Sequence, residues 1–231
     1  MATRGPIAIG EWYHCYSRGV DKRKVFHGEK EYERFLLLMY VGNGRNAVHI
    51  SNLKDKHLLS VISDLTLDKG VPIVEIGAYC LMPNHFHFVL KEIQEGGVAL
   101  FMQKIMTGYT MYFNKKNDRT GALFGGTYKS RHVGNDRYMK QLISYLHCNP
   151  IDLFEPNWKE FSTISIARIK KMLPAYAYSS LPDFLQIKRP ERKLLGDSIF
   201  DLYDSQPSLQ HMLDQARDLY KEEPPFIKVK P

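Results

Sequence analysis

An α+β fold is predicted for this chain by three observations. Two apolar runs, at residues 71–81 and 85–91, flank a Met-Pro-Asn turn and read as paired strands. Stretches with apolar residues at helical spacing precede and follow that pair. An aromatic extended run comes first, and a glycine-broken extended run comes after the second helix.

In order, residues 11–18 (EWYHCYSR) form a strand stopped by Arg18-Gly19. Residues 29–41 carry Tyr32, Phe35, Leu36 and Met39 on one helical face. NGRN at 43–46 breaks that helix, and 53–67 reads as a second helical piece closed by Lys69-Gly70. The run VPIVEIGAYCL is a buried strand; Pro83 fixes its own backbone and Asn84 tolerates tight geometry, so HFHFVLK returns beside it. A helix at 99–114 follows Gly96-Gly97, and 120–133 (TGALFGGTYKSRHV) is an extended run with a loop or bulge at its start. Asp136 is the expected N-cap of a helix running to about Cys148, which Asn149-Pro150 ends.

Strand, helix, strand, strand, helix, strand, plus one further helix, is the ferredoxin-like split βαβ order: an antiparallel sheet with helices on one face. Beyond Pro150 the pattern is mainly helical, at 163–172 and 198–221, interrupted by SSLP at 179–182. The expected division is a sheet-bearing unit at 1–150 and a helical extension at 151–231, poorly ordered from Pro224.

With 44% hydrophobic and 25% charged residues among 231, the composition excludes disorder. No apolar run reaches the roughly 18 residues of a membrane helix, and residues 1–10 lack a signal-peptide layout. Cys15, Cys80 and Cys148 form no CxxC pair, which argues against a disulfide framework and a zinc knuckle and favours the reducing cytoplasm. The net charge is +7, and eight cations against two anions fall between Phe101 and Pro150. That local excess suits a polyanionic partner better than the total does.

His85-Phe86-His87 is the most informative triplet. On a strand, residues two apart share a face, so the imidazoles project together while Phe86 enters the core. Two such nitrogens can hold one divalent metal, although a pair of half-exposed strand histidines has the same spacing. On the later helix Tyr145 and Asn149 are four apart and share a face. Asn149 can supply a third, oxygen ligand beside the Tyr145 phenol; an ordinary helix aromatic followed by a C-cap fits that spacing too. Tyr109 and Tyr112 are alternative phenols, on a stripe with Ile105 and Phe113 that also reads as core.

These motifs resemble those of the HUH single-tyrosine transposases, in the IS200-like, REP-associated tyrosine transposase branch. The resemblance runs from about Glu11 to Leu185, through YSRGVDKRKVF, EYERFL, GAYCLMPNHFHFVLK, YTMYFNKK, TGALFGGTYKS, YLHCNP and YAYSSLPDFL. It implies a metal-dependent endonuclease and strand transferase of single-stranded or hairpin DNA, acting through a 5′-phosphotyrosine intermediate. Tyr145 matches the nucleophile, His85 and His87 the metal-binding histidines, and Asn149 the third ligand; Mg²⁺ or Mn²⁺ is the expected metal. A homodimer is also implied. Arg18, Lys104, Lys115, Lys116, Arg119, Lys129 and Arg131 are candidates to neutralise the DNA backbone, and Phe124 or Tyr128 to stack on unpaired bases. Two other readings stand beside this one: a nucleic-acid-binding module with a degenerate site, and a metal-dependent phosphohydrolase using water.

Overall fold

The computed structural model describes residues 6–156, 158–159, 166–205 and 207–222. The turn read from Met82-Pro83-Asn84 organises the centre. Strand β2 (Val74–Met82) pairs antiparallel with β3 (His85–Glu92) from Met82 opposite His85, leaving Pro83 and Asn84 as a two-residue connection. Strand β1 (Trp12–Arg18) lies along the other side of β3, with Tyr16 opposite His87 and Arg18 opposite His85. Strand β4 (Lys129–His132) closes the far edge, with His14 opposite Arg131. The order is β2-β3-β1-β4, all antiparallel. Each crossover, through α1 (Glu29–Gly42) and the short α2 (Leu58–Ser63) or through α3 (Gly97–Lys116), skips one strand, which is the expected split βαβ arrangement.

Strand alternation sorts the side chains into two layers. Tyr13, Cys15, Tyr79, Leu81, Phe86, Phe88 and Leu90 pack in one cluster with Phe35 and Met39 of α1 and Phe101, Ile105 and Tyr109 of α3. The two crossover helices thus share one face, as expected. Helix α4 (Asp136–Cys148) covers part of the opposite face, where Leu142, Ile143 and Leu146 meet Ala78, Cys80, Met82 and Val89. Helix α7 (Leu209–Glu222) lays Met212, Leu213, Ala216 and Leu219 into that same second cluster. The described residues beyond Pro150 therefore share a core with α4 and the sheet. Gly77 sits at the register shift of β2, where a Cβ would lie 2.7 Å from the Trp12 ring.

Several expected elements are shorter than the sequence pattern. The piece at 53–67 contains only α2, because Asp55, Asp64 and Asp68 each accept a nearby backbone N–H, from His57, Thr66 and Gly70 at 3.0, 2.9 and 2.9 Å. Such side-chain turns compete with the helix. Within 120–133 only Lys129–His132 is strand, joined by an isolated bridge of Phe124 to Gly19. Asn135, not Asp136, caps α4, its side chain accepting from Tyr138 N at 2.8 Å. The stretch 198–221 splits into a 3-10 turn at Phe200–Leu202 and α7, whose first turn is capped by Ser208 Oγ at 3.2 Å from His211 N. Helix α5 (Ile166–Met172) is the described part of 163–172; residues 163–165 and the tail from Pro224 lie outside the described residues.

The SSLP segment seals a sheet edge. Tyr178 O accepts Leu81 N at 2.9 Å and Ser180 N donates to Tyr79 O at 2.9 Å, so the outer side of β2 is paired just before α6 (Leu181–Phe184). Arg189 clamps the segment: it donates to Ser179 O at 2.6 Å and Ala177 O at 2.8 Å, and to both Asp183 oxygens, at 3.1 and 2.5 Å. The Asp183 side chain is fully buried, so removing its partner leaves an uncompensated charge. Arg189→Met is expected to destabilise the fold by about 3–5 kcal/mol in urea unfolding, and Arg189→Met/Asp183→Leu by much less. Equal losses would sink the argument.

His147 of α4 bonds Ser180 Oγ at 2.8 Å, and burial, helped by the Arg189 charge, pushes its pKa down from 6.5 to about 3. Acid protonates this group in the unfolded chain first. Stability is therefore full above about pH 6.5 and falls toward pH 3 by about 1.4 kcal/mol per pH unit for this histidine. Urea midpoints between pH 7 and 5 should drop less steeply in His147→Gln; an unchanged slope would exclude His147 as a contributor.

Candidate active site

The open end of the β2–β3 hairpin carries the histidine pair. His85 and His87 point to the α4 face, both buried, with ring centroids 5.0 Å apart and planes at 89°. Asn84 Oδ1 sits 2.6 Å from His85 Nδ1 and fixes that ring through the turn itself. His87 Nδ1 is 2.8 Å from Nε2 of His14, its neighbour on β1, and the two rings stack at 5.1 Å. Partners on the Nδ1 side set tautomer and ring orientation, the usual support of a metal-binding imidazole.

Across the layer, α4 presents Tyr145, whose ring meets His87 edge-on at 5.8 Å. The phenol is 3% exposed. Burial and then the Asp152 charge push its pKa up, while the Asn149 carboxamide works the other way. Asn149 itself is buried in the 3-10 turn that follows α4, and neither atom of its carboxamide reaches a partner in good hydrogen-bond geometry. His87 Nε2 is likewise buried without a partner. Such atoms cost about 1–3 kcal/mol each when left unsatisfied.

The electrostatics favour neutral imidazoles. Burial, then the neighbouring His87 and the cations Arg18 and Lys159, holds His85 well below 6.5; burial and Lys159 bring His87 down to about 3. His14 is pushed down by burial, His87 and Arg131. A neutral imidazole keeps the lone pair that a metal needs. Among the described residues no group of three His, Cys, Asp or Glu is arranged to hold a metal ion. The set expected from the sequence is instead two imidazoles and the Asn149 carboxamide oxygen. The unsatisfied His87 Nε2 and Asn149 Oδ1 are atoms a divalent cation would satisfy, so these residues fit a metal.

The seven candidate cations do not form one track. Arg18, Lys129 and Arg131 alternate onto the histidine face of β1 and β4, and Arg131 lies 5.1 Å over the Tyr138 ring of α4. Lys104, Lys115 and Lys116 lie on the other side of the sheet, lining a groove of about 1000 Å³ between α1, residues 47–51 and α3. Lys104 donates to Gly44 O at 2.6 Å, and Lys116 pairs with Glu31. Arg119 braces its own loop, donating to Asn114 Oδ1 at 2.5 Å and Ala122 O at 3.1 Å. The alternative phenols are also on that side: Tyr109 donates to Val25 O at 2.5 Å in the core, and Tyr112 lies under Arg34. Phe124 and Tyr128 are buried in the first cluster, so neither is placed to stack on bases.

Three further residues belong to the site: His14, Tyr16 and Lys159. His14 and Tyr16 were legible, since His14, Tyr16 and Arg18 alternate onto the face that carries His85 and His87. Tyr16 lies 4.9 Å from His14 and 5.7 Å from His87, ring to ring. Lys159 was not legible; it reaches the site from beyond Pro150, where no periodicity points inward.

Fold and site define a class: a split βαβ sheet whose central hairpin carries paired histidines beneath a tyrosine helix. The profile of the family described as Transposase IS200 like matches residues 12–149, and the chain belongs to that family. Among solved structures, a REP-associated tyrosine transposase bound to a REP hairpin is similar in fold, with a TM-score of 0.50 at 12% identity, over 89% of this chain and 94% of that one. No curated protein matches significantly. No helix among the described residues is long and apolar enough to cross a membrane.

Proposed function

We propose that this transposase-family protein is a metal-dependent endonuclease and strand transferase of single-stranded DNA, with Tyr145 as nucleophile and His85, His87 and Asn149 as metal ligands. One observation carries the reading: within a single chain the Tyr145 ring stands 5.8 Å from His87, and the buried His87 Nε2 and Asn149 Oδ1 beside it lack partners. The fold relative bound to a REP hairpin supports DNA of that kind as substrate.

A bound Mg²⁺ or Mn²⁺ supplies positive charge that polarises the scissile phosphate. The chain does the rest. Asn84 and His14 hold the two imidazoles in place. Tyr145 Oη forms a bond to phosphorus as the bond to the 3′-oxygen breaks; the phenol gives up a proton and the departing oxygen takes one up. The resulting 5′-phosphotyrosine conserves the bond energy, so a second 3′-end can reverse the step. Arg18, Lys129 and Arg131 steer the backbone along β1 and β4, where Tyr16 replaces Phe124 and Tyr128 as the base-stacking ring. Lys104, Lys115 and Lys116 lie on the α1–α3 side, away from this track, and Arg119 braces its own loop.

Cys15, Cys80 and Cys148 are buried and not in disulfides, which supports a reducing, cytoplasmic setting. The homodimer belongs to the same reading, and sedimentation at micromolar protein tests it. A second reading, the degenerate binding module, has one observation in its favour, the 3% exposure of Tyr145, which requires the phenol to become accessible when DNA binds. Incubation with single-stranded hairpin DNA carrying flanking sequence, with Mg²⁺ or Mn²⁺, separates the two. A protein–DNA adduct that survives denaturation supports the nuclease; salt-dependent binding without an adduct supports the module.

A further inference from the structure

Lys159 is almost wholly withdrawn from solvent, its side chain 8% exposed, and its ammonium lies 5.6 Å from the centre of the Tyr145 ring. Lysine is rarely buried unless paired. Here the pair is Asp152, whose Oδ2 is 2.7 Å from Nζ and whose side chain is 14% exposed. Trp158 and Tyr220 complete an aromatic cage, with ring centres 5.6 and 5.5 Å from Nζ. Two readings compete for such a pair. It can be a clasp fastening the segment after α4 to α7, or a charge stationed for the site it faces.

The placement favours the second. A clasp needs only Asp152 and works against any packed surface, yet this ammonium lies over the ring of Tyr145 on α4, the residue whose ring meets His87 edge-on. Negative charge develops there during attack. The phenol loses its proton while its oxygen bonds to phosphorus, and the pentacoordinate phosphate carries the excess charge in a site shielded from water. A fixed cation in such surroundings counts for far more than one at the surface.

We propose that Lys159 is a positioning residue for strand cleavage, which orients the Tyr145 ring through a cation–π contact with the face of that ring and sets positive charge beside the place where the scissile phosphate must bind. The proposal rests on the nuclease reading above and adds a residue from outside the family match to it. Asp152 balances the ammonium's charge in the resting site, while the rings of Tyr145, Trp158 and Tyr220 hold it in place.

The test measures single-turnover adduct formation on hairpin DNA at saturating protein, alongside DNA affinity and thermal midpoint. Lys159→Met, close in length but uncharged, is expected to lower the rate about 10²-fold, the scale of one lost preorganised charge contact. DNA affinity should change less than about threefold, and Lys159→Arg should recover at least a tenth of the wild-type rate. Asp152→Asn separates the two roles. It breaks the clasp but keeps the cation, so it should lower the midpoint as Lys159→Met does while retaining at least a third of the rate.

Lys159→Met within about threefold of wild type would overturn the proposal. So would Asp152→Asn and Lys159→Met losing rate equally, which marks a clasp. If Lys159→Met does not fold, the Lys159→Arg and Asp152→Asn comparison still decides. Absence of an adduct with the wild-type protein overturns the nuclease reading and this inference with it; an active wild type with an indifferent Lys159→Met overturns this inference alone.

Discussion

Tyr145→Phe is expected to abolish the covalent protein–DNA adduct, lowering its yield by at least about 10³-fold, because no other group inherits the nucleophile. The substitution deletes one oxygen and keeps the ring. The edge-on contact with His87 and the packing of α4 on β2 persist, so the thermal midpoint should stay within a few degrees of wild type. Tyr109 cannot substitute, since its hydroxyl is committed to Val25 O on the far side of the sheet, and Tyr112 shares that side. The readout is a denaturing gel of 3′-labelled hairpin DNA, in which the label stays with the protein only if the bond is to the 5′-phosphate. Cleavage without an adduct in both proteins would identify a water nucleophile and the phosphohydrolase reading. An adduct of equal yield in Tyr145→Phe would move the nucleophile elsewhere.

How much of this was legible depended on the range of the interactions. The sheet was, because Phe86 and Phe88 alternate with His85 and His87, and Pro83-Asn84 admits only a tight connection. The histidine pair and the Tyr145–Asn149 spacing were legible for the same reason, as both are local periodicities. What escaped was set by contacts distant in sequence. The run of cations between Phe101 and Pro150 seemed one patch, yet α3 packs on one face of the sheet while Lys129 and Arg131 point from the edge strand β4 to the other, so Lys104 and Lys115 stand on one side and Lys129 and Arg131 on the other. Linear charge density does not reveal which face a residue takes. Phe124 and Tyr128 looked available for stacking but fill the core, since an aromatic in a glycine-rich loop has no period to show which way it turns. Helix extent failed where Asp55, Asp64 and Asp68 bond their own backbone, a competition that apolar spacing does not register.

His87→Ala is expected to remove metal-dependent cleavage, by about 10²-fold or more, and to abolish the metal's effect on stability as well. His87 is the hub of the site: fully buried, bonded to His14, stacked on Tyr16 and edge-on to Tyr145. Any ligand that binds the folded chain alone raises its stability, by about 2.7 kcal/mol at a hundred times the dissociation constant. Adding Mn²⁺ to metal-stripped wild type should therefore raise the thermal midpoint, and a chelator should return it. In His87→Ala the midpoint should not respond. His14→Ala leaves the ligands intact and loosens only their support, so it should weaken metal affinity by about 10- to 100-fold, the usual range for an outer hydrogen-bond partner. That graded order, wild type above His14→Ala above His87→Ala, distinguishes a metal centre from a buried imidazole stack held together by packing. If Mn²⁺ shifts the midpoint of wild type and His87→Ala alike, the ion binds elsewhere, and the two imidazoles serve the sheet rather than the chemistry.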